Sequence, residues 1–397
     1  MNVIDYSHSS RNYHMDSNPT ALTISTVFNQ GHIKLQADCF EIDFKVQGRE
    51  DFTGISNTFA LWICLPIAMS MNRDLHILGQ VSPTALANAK KLIEIWFSWR
   101  PGLFHFINVT AEQVLESTYT RQEGELMLYS GGADSTYALL AHYVQRGIKV
   151  AALTIQGMDY DAEDAVRFNA LLAKTRPLRD LAINEHYTIT SNAAEVMARH
   201  GIHGDCGHGF QLFSSLFLFE DRYRSGSIAA DCTRQIEMLI SPWGTSSLTN
   251  PLFASSQFHI NTLDLDLGRP EKLAALSGNE MALRCVSFCK NREIRPENCG
   301  VCSKCSRSKA MFLAETGKIP DMFLDNSFSE DMLLDIDLSN RGERGSAMDL
   351  LSSAARNGRL SLFPKLTARL CAKPTRKSWL ARQKARWAKR LKKLNKG

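Results

Sequence analysis

One short stretch constrains the fold of this chain more than any other. Glu125-Leu126-Met127-Leu128-Tyr129 is followed by Ser130-Gly131-Gly132-Ala133-Asp134-Ser135, and that by Thr136-Tyr137-Ala138-Leu139-Leu140-Ala141-His142. Five mostly apolar residues, a glycine pair, and Ala138, Leu139 and His142 at helical spacing read as strand, tight loop and helix. Gly131 and Gly132 can adopt positive φ and let backbone N–H groups approach an anion with no Cβ in the way, while Ser130 and Ser135 add hydroxyl donors. Such a loop is a cradle for phosphate. Asp134 opposes a bare phosphate, so it reads either as a ligand of bound Mg2+ or as a helix cap. A glycine turn capped by Ser and Asp is the plain alternative.

The complete Ser-Gly-Gly-x-Asp-Ser string at a strand-to-helix junction resembles the PP-loop of the N-type ATP pyrophosphatases, the group that includes asparagine synthetase, GMP synthetase, NAD synthetase and QueC. The Lys-Ser/Thr pair of the P-loop is missing. The resemblance implies cleavage of ATP between its α and β phosphates, with AMP and pyrophosphate as products. It also places adenine at the end of the next strand, around Thr154 to Gly157, with Thr154 and Gln156 as contacts.

The segments that follow support a strand-and-helix alternation. Ile148 to Ile155 reads as a second strand, Ala162 to Lys174 as a helix, Tyr187 to Thr190 as a third strand and Ile228 to Asp231 as another. This pattern predicts an α/β fold with a doubly wound parallel sheet, whose ligand crevice lies beyond the carboxyl ends of the strands. Gly201 to Gly209, rich in Gly and His, reads as a donor loop before a helix from about Phe210 to Tyr223, with His208 the residue best suited to face a substrate. Its ligand spacing matches no usual metal pattern. Ser241 to Phe253 is too long and polar for a tight turn, and a loop of that size in a compact domain is often functional.

Upstream, Leu22 to Phe28, Ile33 to Leu35 and Phe40 to Val46 alternate as a small antiparallel sheet. Phe59 to Met71 reads as a buried helix and Asp74 to Leu78 as a strand. Ser82 and Pro83 open an amphipathic helix through about Trp99, with Leu86, Ala89, Ile93, Trp96 and Phe97 inward. The aromatic cluster of Trp96, Phe97, Trp99, Phe104 and Phe106 suits core packing better than stacking on bases.

Composition matters at two points. At 397 residues, 44% hydrophobic and 22% charged, the chain has room for two domains and a tail. Eleven Lys or Arg and no acid fall between Ala372 and Gly397, so the net charge of +5 for the whole chain becomes −6 for the remainder. The tail from Thr375 reads as a basic helix with Leu380, Trp387, Leu391 and Leu394 on one side. It is either solvated or a contact for nucleic acid or an acidic protein. The opening residues lack the charged and apolar regions of a leader, and the longest apolar run, Phe59 to Met69, is interrupted by Pro66. A cytoplasmic protein without a membrane partner is expected.

Ten cysteines are unevenly spread, and Cys289, Cys299, Cys302 and Cys305 supply four thiolates for a tetrahedral Zn2+, with Cys285 as a substitute. An iron–sulfur cluster is the rival occupant. A PP-loop in the first half with this cluster in the second resembles QueC, the 7-cyano-7-deazaguanine synthase family, over residues 125 to 315. Arg269-Pro270-Glu271-Lys272 begins a helix and resembles that family's Lys-x-Glu segment, with Arg269 in the lysine's place. The extra upstream region, with Pro242-Trp243-Gly244 and Asn250-Pro251-Leu252, looks more like the QueC-like proteins of bacterial anti-phage systems, such as QatC and the type IV CBASS homologue.

Four regions are expected: a β-rich domain over 1–120, the PP-loop domain with its zinc motif over 121–325, a helical extension over 326–371 and the basic tail over 372–397. The resemblance implies an ATP-dependent ligase that adenylates a deazaguanine carboxylate and passes it to ammonia or to an amine of a partner protein. Ser130, Gly131, Gly132, Ala133 and Ser135 would bind pyrophosphate, with Arg269 and Lys272 as cations and Asp134 and Asp231 holding Mg2+. His208, Asp231, Trp243, Gly244 and Asn250 would meet the substrate. A nucleobase- or tRNA-modifying PP-loop enzyme and a zinc-stabilised nucleic-acid-binding protein are the other readings.

Overall fold

The computed structural model describes residues 20–120 and 124–372. The predicted basic helix from Thr375 lies outside them. Two compact units are each assembled from separated segments. One holds the chain up to Ser130, Ala138–Asp231 and Pro242–Leu265; the other holds Gly131–Tyr137, Cys232–Ser241 and the chain from Asp266 onward.

All ten strands among the described residues belong to the first unit. They are β1 (Leu22–Asn29), β2 (His32–Gln36), β3 (Glu41–Gln47), β4 (Leu75–Val81), β5 (Val109–Val114), β6 (Glu125–Leu128), β7 (Val150–Gln156), β8 (Ile183–Ser191), β9 (Ser225–Ala229) and β10 (His259–Leu263). They form one mostly parallel sheet in the order β10-β9-β6-β7-β8-β3-β2-β1-β4-β5, so the fold is α/β. The five strands from β6 onward are parallel to their neighbours among themselves. Counted from β6, their order is 3-2-1-4-5, and the chain reverses its direction across the sheet between β6 and β9.

The upstream strands do not make a sheet of their own. β1, β2 and β3 are antiparallel, as their alternation predicts, but β3 continues the ladder onto β8, with Phe44 opposite Ser191. Alternation of Ile42, Phe44 and Val46 specifies which face is buried, not which strand lies alongside. β5 goes unforeseen because only Val109 at its start is buried, which is enough for an edge strand beside β4.

The helix Thr58–Met71 is apolar on every side and buried from Thr58 to Met69, as a helix inside a core must be. Asn72, in the left-handed conformation, closes it with its N–H on the Ala68 and Met69 carbonyls. It packs on β1, β4 and the helix Gly204–Phe217, with Trp62 edge-on to Phe217 at 5.8 Å and Phe253 at 5.1 Å. The helix Pro83–Trp99 starts on Ser82, which accepts from the Ala85 N–H. Trp96 and Phe104 are fully buried, 5.7 Å apart, so the heart of the aromatic cluster serves the core. The helix predicted to end at Lys174 spans Ala165–Ala182 and includes Pro177, because Leu178 and Ala182 keep its apolar face buried.

The second unit is helical. Its helix Ser303–Thr316 packs on Arg269–Ser277 and Arg341–Arg356, and the latter packs on Arg234–Ile240. A Cβ at Gly345 would lie 2.5 Å from Ile240 Cγ2, so the helices meet at a position only glycine can occupy. Among the described residues no helix is long and apolar enough to cross a membrane.

Candidate functional site

In sheets with this strand order, ligands bind beyond the carboxyl ends where the chain reverses direction. Ser130 follows that end of β6. The Tyr129 N–H still donates to the Leu153 carbonyl at 2.9 Å; Ser130 is exposed, Gly131 turns to φ 71°, and the helix begins at Ala133. The sequence-predicted strand, glycine loop and helix are thus present. Ser135 Oγ and the Thr136 N–H both donate to the Gly132 carbonyl, at 3.3 and 2.9 Å, which closes the loop. The Gly131 carbonyl accepts from the Ser287 N–H at 2.8 Å.

Asp134 sits in the first turn of this helix, where it meets cations. Arg269 Nε donates to its Oδ1 at 3.3 Å, Arg269 Nη2 donates to Oδ2, and Lys272 Nζ lies 3.7 Å from Oδ1. Lys272 is fully buried. The residues around Asp134 therefore do not fit a magnesium ligand, since both oxygens face guanidinium and ammonium groups. Two residues of this group carry no sequence signal. Asp349 Oδ2 accepts from the Arg269 N–H at 3.1 Å and so caps the helix Arg269–Ser277 from 80 residues away. A Cβ at Gly268 would lie 2.8 Å from its Oδ1. Burial pushes Asp349 up to about 6. Arg307, 8% exposed, lies on the helix Ser303–Thr316. Burial first, and the Arg269 charge second, push it down to about 10, so it stays charged at neutral pH.

A second arrangement invisible in sequence braces the exit of β6. Arg179 Nη1 donates to His186 Nδ1 at 2.8 Å, so Nδ1 is the acceptor and Nε2 carries the proton. His186 Nε2 then donates to Thr154 Oγ1 at 2.9 Å, and that hydroxyl donates to the Tyr129 carbonyl at 2.7 Å. The Thr154 side chain is thus used in holding the residue before Ser130. Gln156 is likewise engaged, donating to the Asp161 and Ala162 carbonyls and accepting from Thr190.

Burial, then the Arg179 charge, push His186 down to about 4. Between its ordinary 6.5 and that value the unfolded chain takes up a proton that the folded chain refuses, so stability falls on acidification. The loss from this residue is on the order of 2–3 kcal/mol. Asp349 acts in the opposite sense: its folded carboxyl keeps a proton that the unfolded chain releases near 3.8, so it adds stability as pH falls through the same window. Urea unfolding between pH 7 and 4 should show a flatter acid branch for His186→Gln than for wild type, and a steeper one for Asp349→Asn. Coincident acid branches would contradict both assignments.

In the first unit, His208, Asp231, Trp243 and Gly244 come together. The expected loop before Phe210 is instead the start of the helix Gly204–Phe217, because its glycines give room for a neighbour rather than break the helix. A Cβ at Gly209 would lie 1.9 Å from the Gly244 carbonyl, and one at Gly244 2.5 Å from His208 Nδ1. His208 Nδ1 faces the Gly204 carbonyl, and Nε2 lies 3.1 Å from Thr245 Oγ1 and 3.9 Å from Asp231 Oδ2. Trp243 Nε1 and Thr245 Oγ1 both donate to Asp231 Oδ2 at 2.9 Å, and the Trp243 ring stands edge-on to His208 at 5.2 Å. Asp231 follows β9 by two residues and stays partly exposed. Asn250 plays another part: it is buried, accepting from the Ser246 N–H at 2.8 Å and donating to Thr262 Oγ1 at 2.9 Å.

Cys289, Cys299, Cys302 and Cys305 bring their Sγ atoms within 4.8 Å of one another and could hold a metal ion such as zinc. Cys289 and Cys302 are 3.8 Å apart and Cys299 and Cys305 3.9 Å. A zinc–sulfur bond of about 2.3 Å gives a tetrahedron with sulfur-to-sulfur edges of about 3.8 Å. Main-chain N–H groups point at the sulfurs, from Lys290 to Cys302 at 3.5 Å and from Val301 and Cys302 to Cys299 at 3.4 and 3.3 Å. Such donors favour thiolates. The Cys305 thiol first, and main-chain donors with it, pull Cys302 well below its ordinary value. Gly300 is required, since it has φ 84° and a Cβ there would lie 1.9 Å from the Asp325 carbonyl.

No protein-family model matches this chain, and no curated protein or solved structure matches it significantly.

Proposed function

We propose that this protein is an ATP-dependent carbon–nitrogen ligase of the QueC-like type, forming AMP and pyrophosphate. The observation that carries this reading is the junction at β6. The first strand of a 3-2-1-4-5 parallel set runs into Ser130-Gly131-Gly132-Ala133-Asp134-Ser135 with Gly131 in the left-handed region. A substrate carboxylate, a deazaguanine acid by the QueC resemblance, attacks the α-phosphate of ATP and pyrophosphate departs. An amine then attacks the acyl carbon, the amide forms and AMP leaves.

Arg269 and Lys272 supply positive charge for the departing pyrophosphate, where fixed donors act most strongly. The group of His208, Asp231 and Trp243 is assigned to the acid and the incoming amine. Trp243 and Thr245 both donate to Asp231 Oδ2 and so fix the orientation of this carboxylate within the group. Zn2+ is the occupant assigned to the four cysteines, on the match of the two sulfur pairs to a tetrahedral edge. Four thiolates would fill its coordination shell and leave no position for substrate, so its contribution would be structural. No step depends on Mg2+ at Asp134. The anti-phage resemblance of the Trp243 segment makes a partner-protein amine the acceptor of choice.

Incubation with ATP, Mg2+ and 7-carboxy-7-deazaguanine should yield AMP with an amide product when ammonia is supplied, a nitrile only if a second ATP activates the amide oxygen for loss as AMP, or a mass increase on a candidate partner protein. Ser130→Ala should lower turnover by about 100-fold or more while leaving the melting temperature within a degree or two of wild type. Full turnover in Ser130→Ala would remove the loop from the mechanism.

A further inference from the structure

The helix Ser303–Thr316 begins at the cysteine cluster and carries Arg307 two residues after Cys305. Its guanidinium makes no hydrogen bond or ion pair with any described residue. It nevertheless belongs to a residue only 8% exposed. Buried charges in proteins are almost always paired, because an isolated one costs several kcal/mol of lost hydration. The guanidinium nitrogens are not among the fully enclosed polar atoms that lack a partner, so they keep some contact with solvent. Asp134 and Arg269 are near enough to act on its charge, and Glu343 is the other carboxylate that does so. Glu343 is itself engaged, accepting from the Asp337 N–H and facing Lys290.

We infer that Arg307 is a binding residue for an oligophosphate, the third cation of a receptor whose other two are Arg269 and Lys272. The inference rests on reading Gly131 to Ser135 as a phosphate loop and extends it to a residue outside that motif. Two cations on one helix and one on another, set against the single carboxylate of Asp134, leave about two positive charges spread over two helices, which suit a multiply charged anion such as a pyrophosphate group better than a lone carboxylate. The same second unit ties loop and cysteine cluster together. Asn298, next to Cys299, accepts from the Phe288 N–H and donates to the Val286 carbonyl, each at 3.0 Å, and the intervening Ser287 N–H holds the Gly131 carbonyl. The cysteine cluster thus sets the position of both Arg307 and Gly131. Arginine suits the task because its planar fork bonds two oxygens at once.

The test is thermal unfolding of the full chain, with and without increasing inorganic pyrophosphate, for wild type, Arg307→Met and Arg307→Lys, with metal content measured on each. Wild type should gain stability with the logarithm of pyrophosphate concentration. Arg307→Met should melt at or above the wild-type temperature without anion, since it removes an unpaired buried charge, and its apparent affinity should fall by about 30- to 100-fold. Arg307→Lys should weaken binding by about tenfold. A lower basal melting temperature in Arg307→Met with wild-type affinity for pyrophosphate would make Arg307 a structural arginine and overturn the inference. Should Arg307→Met not fold, wild-type affinity in Arg307→Lys would overturn it. No response of wild type to pyrophosphate would overturn both the inference and the phosphate-loop reading. A normal response without AMP formation would sink the ligase reading alone.

Discussion

Asp134→Ala is expected to destabilise the protein by about 3–5 kcal/mol at neutral pH and to abolish ATP-dependent turnover. The size of the effect comes from what the carboxylate faces. Arg269 reaches both its oxygens, and Lys272, fully buried, lies 3.7 Å from Oδ1. Removing one partner of a buried pair costs far more than the pair itself contributes, because the remaining cation stays out of water with less to balance it. Asp134→Asn keeps the shape and one acceptor, so it should fall between the two. Pyrophosphate added to Asp134→Ala should restore part of the loss by supplying the missing negative charge. Chemical denaturation of the three proteins measures this, and stability of Asp134→Ala within 0.5 kcal/mol of wild type, the usual range for an inconsequential surface change, would show that the ion pairs do not hold in solution.

Metal removal should have a comparably large effect, confined to the second unit. Four thiolates brought within 4.8 Å repel one another unless protonated or bound to a cation, and a structural Zn2+ site contributes on the order of 10 kcal/mol to folding. The cluster joins the strap at Cys289 to the start of the helix Ser303–Thr316, and that helix packs on two others. Chelation, or Cys305→Ser, should therefore expose the amides of Ser303–Thr316 and Arg269–Ser277 to hydrogen exchange. The strands β6 to β10 should stay protected. Added Zn2+ should reverse the chelated state but not the mutant. Stoichiometric metal that can be withdrawn without any change in exchange would deny it a structural role.

The glycine loop after β6 is legible in the sequence because its requirements are local. A glycine that must take φ 71° and a strand and helix on either side are all written within a dozen residues. The cysteine cluster is legible for the same reason, with three of its four ligands within seven residues and the fourth ten residues upstream. The partners of the loop are not. Asp134 meets Arg269 across 135 positions and Arg269 meets Asp349 across 80, and nothing in the spacing of charges says which will be buried together. Thr154 and Gln156 sit where the resemblance puts adenine, yet their side chains are engaged by neighbours, including His186, whose role depends on a tautomer set by Arg179.

What the sequence determined by itself is therefore a set of local conformations: period-two strands, capped helices, a left-handed glycine and a thiolate cluster. Backbone sterics and side-chain alternation act over a few residues and leave their mark in order. What only the tertiary structure decided is adjacency. The strands β1 to β3 join the sheet through β8 rather than closing on themselves. Gly209 and Gly244 exist for a contact with each other's segments. Arg307 becomes notable only once its burial is known. Alternating side chains select a face, but the neighbour along an edge is chosen by the burial of the whole core. A charged side chain acquires its chemistry from what surrounds it after that burial is complete.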